Sequence, residues 1–434
     1  MTFDSVLAFY AAPLLAIWSA YLFSRRKAET RSLSLREEAH AAGLSEPTSL
    51  HPVIDPNLCV GCKACLNACP EGDILGLIGG KAELVEPSNC IGHGACKTAC
   101  PRGAISLVFG TEKRGVDLPL VGPDFQTNVP GIYIAGELGG MGLIRNAVEQ
   151  GSQAIKSIAA QTKMKTPGLL DVVIVGGGPA GITASLGAME RKLKFVTLEQ
   201  DTFGGTVAHF PRGKVVMTAP ATLPIVGQMK FKEVSKEKLL GFWIKVRRDT
   251  GLSINEQERV VSVTPAAGGF EVRTVSSVYR TRTVLLTIGR RGTPRQLGVP
   301  GEELPKVVYR VTDPEQYRGK HILVVGGGDS ALEAAACLSD EPGTKVTLSY
   351  RSDAFGRAKT KNRKRVEEAE VSGKLNVLLS STVTRIGADR VELNHRNKPS
   401  TIRNDAVIVC AGGILPTDFL KSMGIEIETK HGTA

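Results

Sequence analysis

The stretch VVIVGGGPAGITA at residues 172–184 decides the fold. An apolar, β-branched run leads into three glycines and a helix-forming segment, and the chain returns through KFVTLEQ to Glu199. This is the strand, glycine loop, helix and second strand of a dinucleotide-binding unit. Gly176 permits the tight turn, Gly178 lets a pyrophosphate approach the backbone, and Gly181 lets helix pack on strand. Pro179 and Ala180 open the helix, whose N-terminus faces the phosphates, and an acid about 20 positions on takes the ribose hydroxyls. Glu199 is that acid.

The plan recurs in KHILVVGGGDSALEAAACLSDEPGTKVTLSYR at 320–351, with Gly326, Gly328, Ser330 and Ala331 in the loop. Its second strand ends in Tyr350 and Arg351 instead of an acid. An arginine there suits a 2′-phosphate, so NADPH is expected before NADH, with Arg357 as a further contact. Lys359, Lys361, Arg363, Lys364 and Arg365 follow, either toward the same phosphate or as a solvated helix face.

Two such folds in one chain resemble the pyridine nucleotide-dependent flavoprotein reductases, above all thioredoxin reductase-like and bacillithiol disulfide reductase-like enzymes. The resemblance implies FAD in the first fold and NADPH in the second. It makes FGGTVAHFPRGKVVMT at 203–218 a flavin-contacting loop, with Gly204 and Gly205 against the cofactor and His209 as a candidate proton donor. It also makes 283–302 the crossover out of the flavin domain and 406–427 the return. In that family the return is followed by a last flavin segment of the type T-x-x-P-G-I-Y-A-A-G-D. Here the matching stretch, QTNVPGIYIAGELGGMGLIRNAVEQG at 126–151, stands ahead of the first glycine loop. A circular permutation is therefore expected, with 159–170 joining the old ends. Gly136 and Glu137 would contact the flavin, Glu137 replacing the family's Asp. The redox C-x-x-C pair of thioredoxin reductases is missing: Cys337 and Cys410 stand alone in apolar contexts and are expected to be buried.

Seven of nine cysteines lie between 59 and 100. CVGCKACLNACP gives Cys59, Cys62, Cys65 and Cys69 in the C-x2-C-x2-C-x3-C-P run of bacterial ferredoxins, in which the fourth cysteine serves the other cluster. CIGHGACKTACP repeats it with Cys90, Cys96 and Cys100, but His93 replaces one cysteine. The block at 53–109 resembles two-cluster ferredoxins throughout. The crossing pattern implies one [4Fe–4S] cluster on Cys59, Cys62, Cys65 and Cys100. The second takes Cys69, Cys90 and Cys96, either with His93 as fourth ligand or as a [3Fe–4S] cluster with His93 a loop residue. A neutral imidazole in place of a thiolate raises the potential.

Positions 5–23 carry no charge and, as a helix at about 1.5 Å per residue, would span about 28 Å. Arg25, Arg26 and Lys27 follow, which sets the remainder on the cytoplasmic side of a cell inner membrane. The net charge of +11 favours acidic partners or anionic headgroups and says nothing of nucleic acid. The expected class is α/β. It has two Rossmann-like domains at 171–302 and 303–415, with 416–434 returning to the first. A relocated flavin segment at 110–162, an α+β ferredoxin domain at 53–109, a linker at 24–52 and one transmembrane helix at 5–23 complete it. The expected function is electron transfer between NADPH, FAD, two iron–sulfur clusters and a redox protein or quinone, with a homodimer left open. The alternatives are reduction of a small disulfide and a redox sensor without turnover.

Overall fold

The computed structural model describes residues 3–41, 45–47, 50–90, 92–113, 115–140, 142–161, 168–218, 220–231, 233–290, 292–356 and 358–432, with backbone alone at 3–12 and 217. Two compact units emerge, one comprising residues 1–116 and 430–434 and the other 117–429.

In the first unit, helix α1 (Phe3–Ala41) is followed by strand β1 (His51–Ile54), helix α2 (Ala64–Ala68), strands β2 (Leu75–Ile78) and β3 (Lys81–Leu84), helix α3 (Ala95–Ala99) and strand β4 (Ile105–Val108). β1 pairs antiparallel with β4, and β2 with β3. The core between them is small and includes Cys59, Cys65, Leu75, Ala82, Cys96, Ala104 and Ile105. So small a core needs a further staple, and cluster ligation is the one its cysteines offer.

The expected linker at 24–52 is largely a different object. α1 continues unbroken to Ala41, and its second half lies on the β2–β3 hairpin. Arg31 pairs with Asp73, Arg36 with Glu83 at 2.7 Å, and Glu29 accepts the Gly79 N–H at 2.7 Å. Hydrogen bonds and close packing of Ser32 against Gly76 hold the turns that sequence polarity had suggested were free. The expected spanning helix at 5–23 is also corrected: among the described residues no helix is long and apolar enough to cross a membrane. The described apolar side chains begin at Pro13 and soon meet Arg25, Arg26 and Lys27, while the side chains of 5–12 lie outside the described residues.

In the second unit, β5 (Val116–Pro119) pairs with the last strand, Ile427–Lys430. β6 (Ile132–Ile134), helix α4 (Ile144–Gln161), β7 (Leu170–Val175), helix α5 (Pro179–Glu190) and β8 (Phe195–Leu198) build the first nucleotide-binding layer. The strand Val278–Leu286 lies between β6 and β7, parallel to both, and β7 pairs parallel with β8. The hairpin Val260–Ala266 and Gly269–Thr274 extends this sheet antiparallel. So 126–151, which precedes the glycine loop in sequence, supplies a strand to that loop's own sheet. Its helix α4 then packs along α5, so closely at Gly151 that a Cβ there would collide with the Ala180 carbonyl. Asn128 ties the segment to the C-terminal return, donating to Gly424 O and accepting from Glu426 N, both at 2.9 Å. Of the expected joining stretch 159–170, residues 162–167 lie outside the described residues.

The second nucleotide-binding layer is a five-stranded parallel sheet in the order 307–308, 406–409, 321–325, 345–349, 375–378. The way out and the way back touch, since Thr293–Pro294 pairs antiparallel with Gly413–Ile414.

Candidate redox-cofactor sites

The cluster region is an internal repeat at the level of backbone as well as sequence. Cys59 to Gly72 and Cys90 to Gly103 match position for position, except that Cys62 faces His93, Lys63 faces Gly94 and Glu71 faces Arg102 among the notable changes. Gly61 and Gly92 both adopt positive φ (68° and 74°), as do Lys63 and Gly94 immediately before α2 and α3 (64° and 77°). At Gly61 a Cβ would collide with the Gly80 carbonyl, and at Gly92 it would lie 2.5 Å from Leu50 O. Each loop therefore turns its backbone inward around its cysteines.

A cavity in the first unit is lined by Cys59, Cys62, Cys65 and Cys100 together with Ile54, Ala82, Lys63 and Arg102. These four cysteines are the quartet that the crossing pattern implies. Cys59 Sγ accepts the Ala82 N–H at 3.4 Å and Cys100 Sγ accepts the Ala104 N–H at 3.3 Å. Backbone N–H bonds to sulfur are among the levers that set a cluster's potential. Cys62 is exposed, while Cys59 and Cys65 are buried.

The other half-site holds Cys69, Cys90, Cys96 and His93. Cys90 and Cys96 are buried, and the Cys69, Cys90 and Cys96 thiols lie within electrostatic reach of one another. Burial pushes the thiols of Cys65, Cys69 and Cys96 up, and that of Cys90 up to about 11. Thiols so placed become thiolates only beside strong positive charge, which bound iron supplies. Burial pushes the His93 imidazole down from its ordinary value, against the opposing pull of Glu71, which favours the neutral, metal-binding form. His93 Nε2 is buried and has no hydrogen-bond partner. Among the described residues no three such side chains converge on a single metal ion. A cubane spreads its thiolates over four irons, and the four cysteines lining one cavity in the spacing of the ferredoxin run fit it.

The first nucleotide site is built by the same economy. Gly178 caps α5, whose free N–H groups point where phosphates bind. A Cβ on Gly181 would collide with the Gly176 carbonyl. Gly204 donates to Gly177 O at 3.0 Å, and Gly205 sits so close that a Cβ would lie 3.0 Å from Gly178 Cα. Gly136 approaches from the relocated segment, its N–H bonded to Gln150 Oε1 at 2.8 Å and its Cβ position 3.1 Å from the Ala180 methyl. Glu137 follows in a short 3-10 turn and lies beside Gly142. Glu199 is buried, and its carboxylate accepts the Gly177 N–H at 2.6 Å and the Asp201 N–H at 2.9 Å. Burial pushes its carboxyl up, against those two bonds. Gly136, Gly176, Gly178, Pro179, Ala180, Gly181, Gly204 and Gly205 thus converge on one cradle, with Glu199 bonded to its loop at Gly177, and the cradle fits a dinucleotide flavin.

His209 lies at the end of the 205–209 turn, and its Nε2 is 2.9 Å from the Asp201 carboxylate, which also holds Arg310 at 3.0 Å. That contact gives His209 a structural duty besides the proton-donor role expected of it.

In the second site Gly328 caps the helix Asp329–Ser339, and Ser330 and Ala331 occupy its first turn. Tyr350 stands where Glu199 stands in the first. Its ring covers the loop, so a Cβ on Gly327 would meet it, and it stacks on Phe355 with centroids 5.6 Å apart. Arg351 is exposed beside it, and Arg357 lies outside the described residues. Nothing in the sequence announces the aromatic pair beyond Phe355 lying five positions after Tyr350. Sequence reasoning also missed Lys214, which crosses from the flavin loop to Glu333 on that helix at 2.6 Å. Cys337 and Cys410 are each partly exposed rather than buried, and the Cys410 carbonyl, like that of Thr287 in the first fold, lies against the glycine turn.

Two dinucleotide folds with glycine cradles and a four-cysteine cavity define a flavin-dependent oxidoreductase carrying an iron–sulfur module. The chain belongs to the pyridine nucleotide-disulphide oxidoreductase family, whose model matches residues 173–433, and a 4Fe–4S dicluster domain matches 51–101. It is 28% identical over 265 residues to a ferredoxin–NADP reductase of Ignicoccus hospitalis, covering 60% of this chain and 83% of that one. It is 26% identical over 267 residues to the bacilliredoxin reductase Bdr of Bacillus subtilis, covering 60% and 82%. Among solved structures, the bacillithiol disulfide reductase Bdr of Staphylococcus aureus shares the fold with a TM-score of 0.52 at 24% identity, covering 59% of this chain and 80% of that one. The protein is an NAD(P)H-dependent flavin oxidoreductase with a ferredoxin-like domain.

Proposed function

We propose that the protein passes electrons between NADPH and an outside redox partner through FAD and two iron–sulfur clusters. FAD, when bound, accepts a hydride from the nicotinamide and yields its two electrons singly, which is what a cluster can take. The chain's own part is to hold each group. The cradle at 176–181, 204–205 and 136 holds FAD, the loop at 326–331 with Arg351 holds NADPH, and the cysteine half-sites hold the clusters. His93 is the fourth ligand of the second.

The observation that carries this reading is the covalent order. The dicluster block ends at Val108, and the chain's next parallel strand, Ile132–Ile134, is part of the flavin sheet. A circular permutation accounts for that order, and it is supported by residues 132–134 joining the sheet of a glycine loop that follows them in sequence. Relatives named ferredoxin–NADP reductase use ferredoxin by name, and here a ferredoxin-like domain is attached. The partner is an acidic electron-carrier protein, or a quinone, and the basic charge favours the former. Attachment of the chain at the cytoplasmic face of a membrane is also proposed. It is supported by the exposed Leu15, Ile17, Trp18 and Phe23 ahead of Arg25, and recovery of the full chain in the soluble fraction at low salt overturns it.

The disulfide-reductase reading has one specific support, the likeness to bacilliredoxin reductase. Anaerobic turnover separates the two. NADPH oxidation coupled to a one-electron protein acceptor, and not to a low-molecular-weight disulfide, supports electron transfer; the reverse pattern overturns it.

A further inference from the structure

The two half-sites are equivalent in backbone yet opposite in the charge that stands two residues after the last cysteine of each run. The repeat places Glu71, two residues after Cys69, at the position that Arg102 occupies two residues after Cys100. Lys63 and Arg102 both line the cavity of Cys59, Cys62, Cys65 and Cys100. Glu71 is half-buried on the other side, where its N–H serves the Cys69 sulfur and its carboxylate lies within electrostatic reach of Cys69, Cys90 and His93. This rests on the reading that His93 ligates the second cluster.

With that ligand set the all-cysteine site carries one more negative ligand than the site with His93. Ligation alone would therefore set the second potential well above the first. The fixed charges run the other way. Cations beside the first site stabilise its reduced, more negative form and raise its potential; an anion beside the second destabilises the reduced form and lowers its potential. We propose that Glu71 and Arg102 are potential-setting residues that offset the ligand asymmetry, holding the two clusters close enough in potential to share electrons in both directions. Of the two, Glu71 has the larger effect, because Arg102 and Lys63 are exposed and screened by solvent.

The test is a potentiometric titration followed by EPR on the full holoprotein, after iron and acid-labile sulfide have been counted. Wild type, Glu71→Gln, Arg102→Gln and the double variant are compared. Glu71→Gln is expected to shift the second cluster to higher potential and leave the first in place. Arg102→Gln is expected to shift the first to lower potential by a smaller step, and the double variant has the widest separation. A separation that does not change in either variant, or narrows, overturns the assignment while leaving two ligated clusters intact. A protein that binds only one cluster overturns the ligation reading and the charge assignment together. Loss of folding in the cluster unit is excluded by the iron and acid-labile sulfide content of the same samples, and in the flavin unit by their flavin content.

Discussion

The two dinucleotide folds share a backbone and differ in what stands at the end of the second strand. In the first, the loop glycine Gly177 donates to a buried carboxylate, Glu199. In the second, the equivalent Gly327 lies under the Tyr350 ring, with Arg351 beside it. Helix packing differs as well: the first fold needs Gly181 against the Gly176 carbonyl, while the second accommodates Ala331 at that place. The first loop therefore has a carboxylate beside it and the second an aromatic ring over it.

The largest effect is expected at the most crowded point of the first loop. Gly181→Ala forces a methyl into the Gly176 carbonyl, a clash costing about 3 kcal/mol or more. The expected outcome is protein purified with at least roughly tenfold less flavin, read from its absorbance per chain. Ala331→Gly, the reciprocal change, should leave the nucleotide KM within about fivefold, the cost of one helical glycine. Next, Glu199→Ala leaves the Gly177 and Asp201 N–H groups without their acceptor and removes a partner for ribose. At about 1–3 kcal/mol for an unpaired buried donor, flavin binding should weaken by roughly ten- to a hundredfold in a titration of the apoprotein.

Arg351→Ala sharpens the contrast from the other side. Loss of one charge-assisted contact to the 2′-phosphate should raise the KM for NADPH by roughly tenfold and leave that for NADH within about twofold. An equal change for both nucleotides would remove Arg351 from the recognition of the phosphate.

The smallest effect is the pH dependence of the buried acid. Burial raises the Glu199 carboxyl above its ordinary value near 4.5. Across the window above 4.5 the folded apoprotein holds a proton there more readily than the unfolded chain, so stability from this group falls as pH rises. Relative to Glu199→Gln, wild-type apoprotein should lose Tm between pH 4.5 and 7, and the two should converge toward the acid end. A constant difference across that range contradicts the burial argument.

Much of this was legible because glycine and cysteine spacing encodes backbone. Both glycine loops and both cysteine runs lie where their spacing places them, and the strand hidden in NVPGIYIAG sits in the flavin sheet. What escaped depends on side chains meeting across the sequence. The polar stretch after Lys27 reads as a linker, yet Arg31, Ser32 and Arg36 have partners in a hairpin some 40 residues away that no local pattern announces. Tyr350 reads only as a missing acid until its ring is found on Gly327. Lys214 and Glu333 are two unremarkable charges until the flavin loop and the nucleotide helix are brought together.

The most direct test of the central claim is freeze-quench EPR after anaerobic mixing of the full protein with NADPH, with absorbance followed in parallel. Electron flow from nucleotide through flavin to the clusters predicts that reduced-cluster signals rise as the flavin bleaches. A flavin that bleaches completely while the clusters stay silent contradicts it.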